Sequence, residues 1–358
     1  MNIMKMMVSG QTRMNTVSEF YKSYVDIGGL DYKDVFLVPQ YSEVTSRSQV
    51  DTSVQLGDVK LDVPVISANM DTVTAGEMAY AMAEGGAIGA IHRFMTIEQN
   101  VREFQIGTGD VHYQKSYPCF VSIGVNEESK TRASALYNAG ARYFVIDIAH
   151  GHSRMMRDMT TWLRDTYPDV FIMAGNVATG QAVRDLASWG ANAVKVGIGP
   201  GNVCTTKNVT GVTVPQFSAV MECATVLHTM YGHKPLIVAD GGISEIGDIA
   251  KALGAGADLV MCGRLFASAR EAPGERVGGK KVYRGMASRD AMLTIRNVSS
   301  LPTAEGISTL IDASEHSAID IVNQIKGGLQ SSFSYSNAHN LSEFHSNAKF
   351  GIRHTQMK

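Results

Sequence analysis

Short apolar runs alternate with helix-like segments along most of the chain. The runs are rich in β-branched residues, and each ends in a small or polar residue before apolar positions recur at helical spacing. This alternation is typical of βα units with parallel strands. Eight strands are predicted: Val63–Met70, Ala87–Arg93, Phe120–Val125, Tyr143–Gly151, Val170–Val177, Ala193–Gly199, Leu236–Gly241 and Leu259–Leu265.

Eight parallel strands with intervening helices predict a TIM (β/α)8 barrel. An open, doubly wound sheet is the alternative fold, because the same alternation of strands and helices also produces that arrangement. Between the strands, small and apolar residues at helical spacing predict helices. The helices predicted in this way are Thr74–Glu84, Ser129–Ala139, Thr179–Trp189 and Ile246–Leu253.

The chain is predicted to form a single barrel domain spanning 1–358. Three of its regions do not belong to the repeated strand–helix units. Residues 1–60 form an N-terminal extension, and residues 268–310 form an insertion after the eighth strand, here called the flap. A forty-residue excursion at that place is expected to cover the carboxyl end of the barrel. The polar stretch Ser331–Lys358, including a C-terminal tail over 339–358, is expected to be partly mobile.

Composition places the chain among ordinary globular proteins. Its 32 basic and 34 acidic residues give a net charge of −2 without a basic run, which argues against nucleic-acid or membrane partners. The four cysteines are far apart and form no CxxC pair, a usage that favours free thiols and a cytoplasmic protein. No run of about 18 apolar residues predicts a membrane span.

Polar residues collect where the predicted strands end. In a barrel of this class, the carboxyl ends of the strands carry the chemistry. The residues at those ends are Asn69, Asp71, His92, Arg93, Asp147, His150, Asn176, Cys204, Asp240 and Arg264. His150 and His152 lack a third ligand at metal-site spacing, so a polar strand end is the favoured interpretation of that pair.

The stretch from Lys195 to Thr206 runs from an apolar strand into a glycine-rich turn that presents Cys204. Such a turn suits a nucleophile that forms a covalent adduct with an electron-poor ring carbon, and the hydroxyl of Thr206 and the carboxylate of Glu305 are candidates for moving protons. A small buried residue after a tight turn is the alternative for the cysteine. Glycines after the seventh and eighth strands suit a phosphate, whereas Asp240 suits the two hydroxyls of a ribose.

From Tyr32 to Ala338 the chain resembles the IMP dehydrogenase and GMP reductase family. The motifs that carry the resemblance occur in the family's order: Asp31–Val35 (DYKDV), Ser67–Val73 (SANMDTV), Met173–Val177 (MAGNV), the Cys204 turn and Tyr283–Met286 (YRGM). The resemblance implies a barrel, usually a homotetramer, in which the cysteine attacks C2 of a purine nucleotide. It further implies that a nicotinamide cofactor exchanges a hydride with that carbon.

The resemblance also assigns site residues. The catalytic residues are Cys204, Thr206 and Glu305. The nucleotide site comprises Asn69, Asp240, Gly241, Gly242, Gly263, Arg264, Gly285, Met286 and Ala287. The cofactor site comprises Ser46, Arg47, Arg93, Asp147, Ile148, Ala149, Ile198 and Gly199, with Arg47 hypothesised to reach a cofactor phosphate from a neighbouring subunit. Carbonyl groups of Gly199, Gly201 and Cys204 are expected to hold a monovalent cation, K+.

Two reactions share this type of site. The dehydrogenase oxidises IMP to XMP with NAD, and its family carries an Arg-Tyr pair in a long flap that activates water. Here Arg142–Tyr143 is the only Arg-Tyr pair, at the start of the fourth predicted strand, and the flap is short. Asn69 and Glu305 also resemble the reductase, which converts GMP to IMP and ammonia with NADPH. The sequence therefore predicts GMP reductase chemistry.

Other features favour the dehydrogenase. Many reductases have Lys where Arg93 stands and Asn where His150 stands. A dehydrogenase with an atypical flap, using Arg289 or Arg296 for water, is therefore the alternative enzyme, and a non-catalytic nucleotide-binding barrel is the alternative outside enzymes. The paired regulatory modules of most dehydrogenases would lie between the second and third strands, where only a short connection is present, and this counts mildly toward the reductase because some dehydrogenases also lack them.

Overall fold

The computed structural model describes residues 29–109, 117–295 and 303–353. Its strands are β1 (Val35–Leu37), β2 (Val54–Leu56), β3 (Val59–Leu61), β4 (Val65–Ser67), β5 (Ile88–Ile91), β6 (Phe120–Ile123), β7 (Tyr143–Asp147), β8 (Phe171–Val177), β9 (Ala193–Val196), β10 (Leu236–Asp240), β11 (Leu259–Cys262), β12 (Arg276–Val277), β13 (Lys280–Arg284), β14 (Ser308–Asp312) and β15 (Phe350–Ile352).

The helices lie between the strands and after β14. They are α1 (Gly76–Glu84), α2 (Ile97–Thr108), α3 (Glu127–Asn138), α4 (Arg154–Thr166), α5 (Gly180–Ser188), α6 (Thr206–Thr210), α7 (Gln216–Val226), α8 (Ile246–Gly254), α9 (Arg264–Ala267), α10 (Arg289–Ile295), α11 (Ala318–Tyr335) and α12 (Leu341–Asn347). Short 3-10 turns occupy Tyr32–Asp34, Arg47–Gln49 and Leu227–Thr229.

Strands β4 to β11 form a closed parallel barrel. Strand β11 pairs with β4, where Val260 lies opposite Val65, and this pairing closes the ring. The apolar side chains of these strands are almost completely buried, which is the pattern of a parallel sheet covered on both faces. The predicted TIM barrel is therefore confirmed, and the open doubly wound sheet is wrong.

All eight predicted strands are present, but most end earlier than predicted. The segment predicted to continue to Gly151 leaves the sheet after Asp147, and the segment predicted to reach Gly199 leaves it after Val196. At Gly197 the backbone has φ of +154°, and a Cβ atom there would lie 1.9 Å from the carbonyl oxygen of Asp240. The residues after each strand therefore turn into the loops that build the site.

The four predicted helices are also present with shifted ends. Polar caps determine where they start: the side chain of Asn126 accepts a hydrogen bond from Ser129 N at 3.0 Å, so α3 begins before the predicted residue. Leu265, predicted to end the eighth strand, lies instead in α9. None of the helices in the described part of the chain is long and apolar enough to cross a membrane.

Segments before and after the barrel strands pack against the barrel. The β2–β3 hairpin packs there, with Gly57 against the ring of Phe171 at the start of β8. The prediction that the stretch from Ser331 is partly mobile is wrong for the described residues, because the rings of Phe333 and Phe344 stack in the core with centroids 4.1 Å apart. Beyond them β15 pairs with β1; residues 354–358 lie outside the described ranges.

The predicted flap contains an antiparallel sheet of β12, β13 and β14, and α10 lies between β13 and β14 in the chain. The sheet extends to Asp312, two residues past the predicted boundary. Residues 296–302 of the flap lie outside the described ranges. Its described strands stand at the carboxyl end of the barrel, where β13 contacts the loop after β4.

Candidate active site

A cavity of about 290 Å3 opens at the carboxyl end of the barrel, between the strand ends and the flap. Apart from Ser46 and Arg47, every predicted catalytic, nucleotide, cofactor and cation residue lines it: Asn69, Arg93, Asp147, Ile148, Ala149, Ile198, Gly199, Gly201, Cys204, Thr206, Asp240, Gly241, Gly242, Gly263, Arg264, Gly285, Met286, Ala287 and Glu305. Ser46 and Arg47 are exposed beside α11 and do not reach this cavity within one chain.

The three predicted catalytic side chains form a continuous row. Cys204 Sγ lies 3.2 Å from Thr206 Oγ1, and the Thr206 hydroxyl donates a hydrogen bond to Glu305 Oε2 at 2.9 Å. Glu305 is 99 positions from Thr206 in the chain. A thiol, a hydroxyl and a carboxylate in this order can pass a proton between the sulfur atom and the carboxylate.

Backbone contacts hold Glu305 against the cysteine turn. Thr205 N donates to Glu305 O at 2.9 Å, and Ile307 N donates to Val203 O at 2.9 Å. Gly306 bridges to Cys204 on one side and to Ser288 on the other. The carboxylate of the flap is thus positioned by main-chain bonds that do not depend on its own side chain.

Cys204 differs from the other three cysteines in its surroundings. Cys119, Cys223 and Cys262 are buried in the barrel wall, and burial raises the pKa of the Cys223 thiol well above its usual value. Cys204 is partly exposed on the cavity surface. Because a thiolate is the reactive form of cysteine, the buried thiols are poor nucleophiles, and Cys204 is the accessible one.

A buried lysine lies between two carboxylates on the cavity floor. Lys195 Nζ lies 2.8 Å from Asp147 Oδ1 and 2.6 Å from Asp240 Oδ2, and Asn176 Nδ2 donates to the same Asp240 oxygen at 3.0 Å. Burial alone would lower the pKa of Lys195, but attraction to both carboxylates raises it above its usual value. Burial likewise opposes ionisation of Asp147, yet Lys195 keeps the pKa of that carboxyl low. Lys195 and Asp147 are therefore both charged at neutral pH.

A second ion pair connects the flap to the barrel. Arg284 at the end of β13 binds Asp71 Oδ2 through Nε at 2.9 Å and through a terminal nitrogen at 2.5 Å, and both side chains are mostly buried. Arg284 N also donates to Thr72 Oγ1 at 3.4 Å. The flap residues that follow Arg284, namely Gly285 to Ala287, line the cavity. This ion pair fixes where they stand.

His92 is buried close to that ion pair. Its Nδ1 accepts a hydrogen bond from Phe94 N at 3.1 Å. Burial lowers the pKa of His92 to about 4, although the nearby Asp71 opposes the shift. His92 is therefore neutral near pH 7 and serves as a hydrogen-bond acceptor in the wall, not as a cation for a ligand.

Glycines leave room for a ligand at one end of the cavity. A Cβ atom on Gly263 would lie 2.8 Å from Tyr283 Oη, and one on Gly285 would lie 2.9 Å from Val203 O. Burial raises the pKa of Tyr283 to about 12, so its hydroxyl stays protonated and able to donate. Peptide N–H groups, this hydroxyl and the exposed guanidinium of Arg264 form a set of donors that suits a phosphate.

Neutral carbonyl oxygens are the ligands that the predicted cation turn offers to an ion. Gly201 O accepts the N–H of Cys204 at 3.0 Å, which leaves its second lone pair free for a ligand. Within the described ranges, no group of three or more His, Cys, Asp and Glu side chains could hold a metal ion. A carbonyl set without carboxylates fits a monovalent cation better than a divalent one.

Sequence reasoning missed the roles of Lys195, Tyr283 and the Asp71–Arg284 pair. Lys195 offered a signal, because a lysine inside an otherwise apolar strand of a parallel sheet must find a buried partner. Tyr283 and Arg284 lay within a motif of which only Gly285 and Met286 were assigned to the site. Asp71 was predicted to lie at a strand end, but nothing in the sequence indicated its partner, which is more than two hundred positions away.

The structure also locates the arginines considered for water activation. Tyr143 starts β7, so Arg142–Tyr143 lies at the amino end of the barrel, where Arg142 Nε binds Asp169 Oδ2 at 2.9 Å. That pair is at the opposite end from Cys204. Arg289 is exposed at the start of α10 and does not line the cavity, and Arg296 lies outside the described ranges.

Comparisons with known proteins agree with the geometry of the cavity. Residues 29–357 match the model of the IMP dehydrogenase / GMP reductase domain. GMP reductase of Shewanella pealeana is 38% identical over 326 residues, covering 88% of this chain and 92% of that protein. Inosine-5'-monophosphate dehydrogenase of Nitrosopumilus maritimus is 30% identical over 456 residues, covering 90% of this chain and 95% of that protein.

A solved structure gives the same result. A variant of GMP reductase from Trypanosoma brucei, in complex with guanosine 5'-monophosphate, superimposes with a TM-score of 0.84 at 28% sequence identity and covers 92% of this chain and 96% of its own. The resemblance found in the sequence is therefore confirmed, and both kinds of relative are oxidoreductases. The chain belongs to the IMP dehydrogenase / GMP reductase family.

Proposed function

We propose that this protein is a GMP reductase, which deaminates GMP reductively to IMP and ammonia with NADPH. The row Cys204–Thr206–Glu305 carries the proposal, because it joins a nucleophile to a carboxylate delivered by a short flap. The similarity to GMP reductases and to a structure in complex with GMP supports the same choice of reaction.

The reaction begins when the Cys204 thiol passes its proton through the Thr206 hydroxyl to Glu305, and the resulting thiolate attacks C2 of the purine. The bond from C2 to the amino nitrogen then breaks, and ammonia leaves with a proton passed along the Thr206 hydroxyl from Glu305. NADPH, when bound, supplies a hydride to C2. Cleavage of the bond between sulfur and C2 then returns the thiolate and releases IMP.

The nucleotide and the cofactor occupy different parts of the cavity. Gly242, Gly263, Arg264 and Gly285 surround the nucleotide phosphate, and Asp240 accepts hydrogen bonds from the ribose hydroxyls. Asn69, Gly241, Met286 and Ala287 complete the nucleotide site.

The cofactor occupies the other part, beside Asp147. Arg93, Ile148, Ala149 and Ile198 line that side, and Ser46 and Arg47 would reach it from a neighbouring subunit of a homotetramer. Carbonyl groups of Gly199, Gly201 and Cys204 would hold K+, which would fix the shape of the turn.

IMP dehydrogenase activity is the second candidate. Arg93 lines the cavity on the cofactor side and resembles the dehydrogenase sequence, and dehydrogenases are among the relatives. Arg142–Tyr143 lies at the opposite end of the barrel from Cys204, which argues against its acting as the usual water-activating pair. A dehydrogenase would need another group to activate water.

The deciding measurement is absorbance of the reduced nicotinamide, with GMP and NADPH in one reaction and IMP and NAD in another. We expect loss of absorbance in the first reaction, abolished in Cys204→Ala, which should lose at least about 10⁴-fold in turnover while still binding GMP. Cys223→Ala, which removes a buried thiol, is the matched control and should stay active.

Other outcomes have equally clear meanings. A gain of absorbance with IMP and NAD would identify a dehydrogenase. No change in either reaction, with GMP binding retained, would indicate a nucleotide-binding barrel without this catalysis.

A further inference from the structure

Lys195 connects the two halves of the cavity. It stands on β9, between β8 and β10, with its side chain only 3% exposed. Its ammonium contacts Asp147 at the end of β7 and Asp240 at the end of β10 at 2.8 and 2.6 Å. One buried cation is therefore shared by carboxylates from two different strands.

The ammonium offsets the negative charge of both carboxylates, and Arg93 adds a weaker attraction that also lowers the pKa of Asp147. Both carboxylates are mostly buried, with side-chain exposures of 25% for Asp147 and 20% for Asp240. Two like charges in a partly buried site repel each other, so removal of the ammonium favours protonation of one of them. A protonated carboxyl can no longer accept hydrogen bonds on both oxygens from a pair of ribose hydroxyls.

The contacts of Lys195 with both carboxylates also link the orientation of one carboxylate to that of the other. A ligand that fixes Asp240 also fixes the ammonium, and the ammonium in turn fixes Asp147. The second ligand then meets a carboxylate that is already oriented, so it loses less conformational entropy on binding. Asn176 strengthens the link, since its amide holds the Asp240 oxygen that contacts Lys195.

We propose that Lys195 is a positioning residue that couples nucleotide binding at Asp240 to cofactor binding at Asp147. This inference rests on the proposed function for which ligand meets which carboxylate. Lys195 itself needs no contact with either ligand. The coupling is positive, so each ligand tightens the binding of the other.

Calorimetry of GMP binding, with and without saturating NADP+, tests the proposal on the intact protein. In the unaltered protein we expect NADP+ to tighten GMP binding roughly five-fold or more. In Lys195→Met this factor should fall to about one, and Lys195→Arg, which keeps the charge, should restore part of it. Lys251→Met is the matched control, because Lys251 is also buried and paired with an aspartate, Asp248, outside the cavity.

The pH profile separates positioning from a purely structural role. In Lys195→Met, GMP affinity should fall as the pH is lowered from about 8 to 6, because a carboxyl whose pKa is raised becomes protonated. The unaltered protein and Lys251→Met should show only the smaller fall that comes from protonation of the GMP phosphate, whose second pKa is about 6. A Lys195→Met profile that matches the unaltered protein, together with an undiminished coupling factor, would overturn the inference.

A second variant is available if Lys195→Met does not fold. Asp147→Asn leaves the contact between Lys195 and Asp240 intact, so GMP alone should bind within about two-fold of normal while coupling to NADP+ is lost. Retained coupling in this variant would overturn the inference and leave the proposed function standing. If the unaltered protein binds no GMP, both the proposed function and this inference fall.

Discussion

The floor and the flap contribute to the same cavity but are built differently. On the floor, Lys195 on β9 and its carboxylate partners on β7 and β10 stand among apolar strand residues that are fully buried. The flap sheet exposes about half of Val277 and Leu310, and side-chain or backbone hydrogen bonds join it to the barrel. Packing thus fixes the ligand-binding groups, whereas a few polar contacts bring Glu305 to the thiol.

Damage to the two regions should therefore have different consequences. A change on the floor should weaken ligand binding, because the carboxylates proposed to meet the nucleotide and the cofactor lie there. A change in the flap should reduce turnover more than binding, because the group proposed to move protons arrives on the flap. Each of the following variants tests this division.

The largest effect is expected from Glu305→Gln, which removes the carboxylate of the flap that is proposed to take up and return the proton. Turnover should fall about 10²- to 10³-fold, as is typical when general acid–base catalysis is lost. GMP affinity should change by less than about three-fold, because the hydrogen bond from Thr205 N to Glu305 O is made by the backbone. Stopped-flow absorbance and calorimetry measure the two quantities.

Glu315→Gln, an exposed change just beyond the flap, is the control for that variant and should leave turnover unaltered. A Glu305→Gln protein that binds GMP much more weakly but turns over normally would contradict the division between floor and flap.

The next effect is expected from Arg284→Met, which separates the flap from the barrel. Asp71 would keep a buried charge without its cation, so the free energy of unfolding should fall by about 3 kcal/mol. Urea denaturation measures this change. Lys60→Met breaks an exposed ion pair with Asp51 and should cost less than about 0.5 kcal/mol. Equal losses in the two variants would show that the Asp71–Arg284 pair does not anchor the flap.

The smallest effect concerns His92, which lies in the barrel wall close to the Asp71–Arg284 ion pair. Its pKa is about 4 in the folded protein, below the ordinary value of 6.5, because the ring is buried. The unfolded chain therefore binds a proton that the folded chain does not between these values. The stabilisation is complete above about pH 6.5 and is lost as the pH falls towards 4, by about 1.4 kcal/mol per unit at most.

Unfolding free energies at several pH values test this prediction. The slope between pH 6 and 4.5 should be shallower in His92→Gln than in the unaltered protein. His316→Gln, at an exposed histidine, should leave the slope as it is. An identical slope in all three proteins would show that His92 does not contribute to acid unfolding.

Much of the fold followed from local pattern. The apolar runs predicted every barrel strand, and the polar residues after them, such as Asn69 and Cys204, do line one cavity. The errors came at segment ends and in the C-terminal region. There, Val322, Ile325, Leu329 and Phe333 recur at helical spacing and bury α11, so the signal was present in the sequence and was outweighed by the polar residues around it.

The sequence by itself determined the barrel, the nucleophile turn and the family to which the chain belongs, because strand periodicity, glycine turns and motif order are properties of neighbouring residues. Only the tertiary structure decided which charges pair. Lys195 meets Asp240 across 45 positions, and Thr206 meets Glu305 across 99. Such pairs exist only after the eight strands have closed into a ring and the flap has returned to the cysteine turn, since no local pattern records the distance between remote residues.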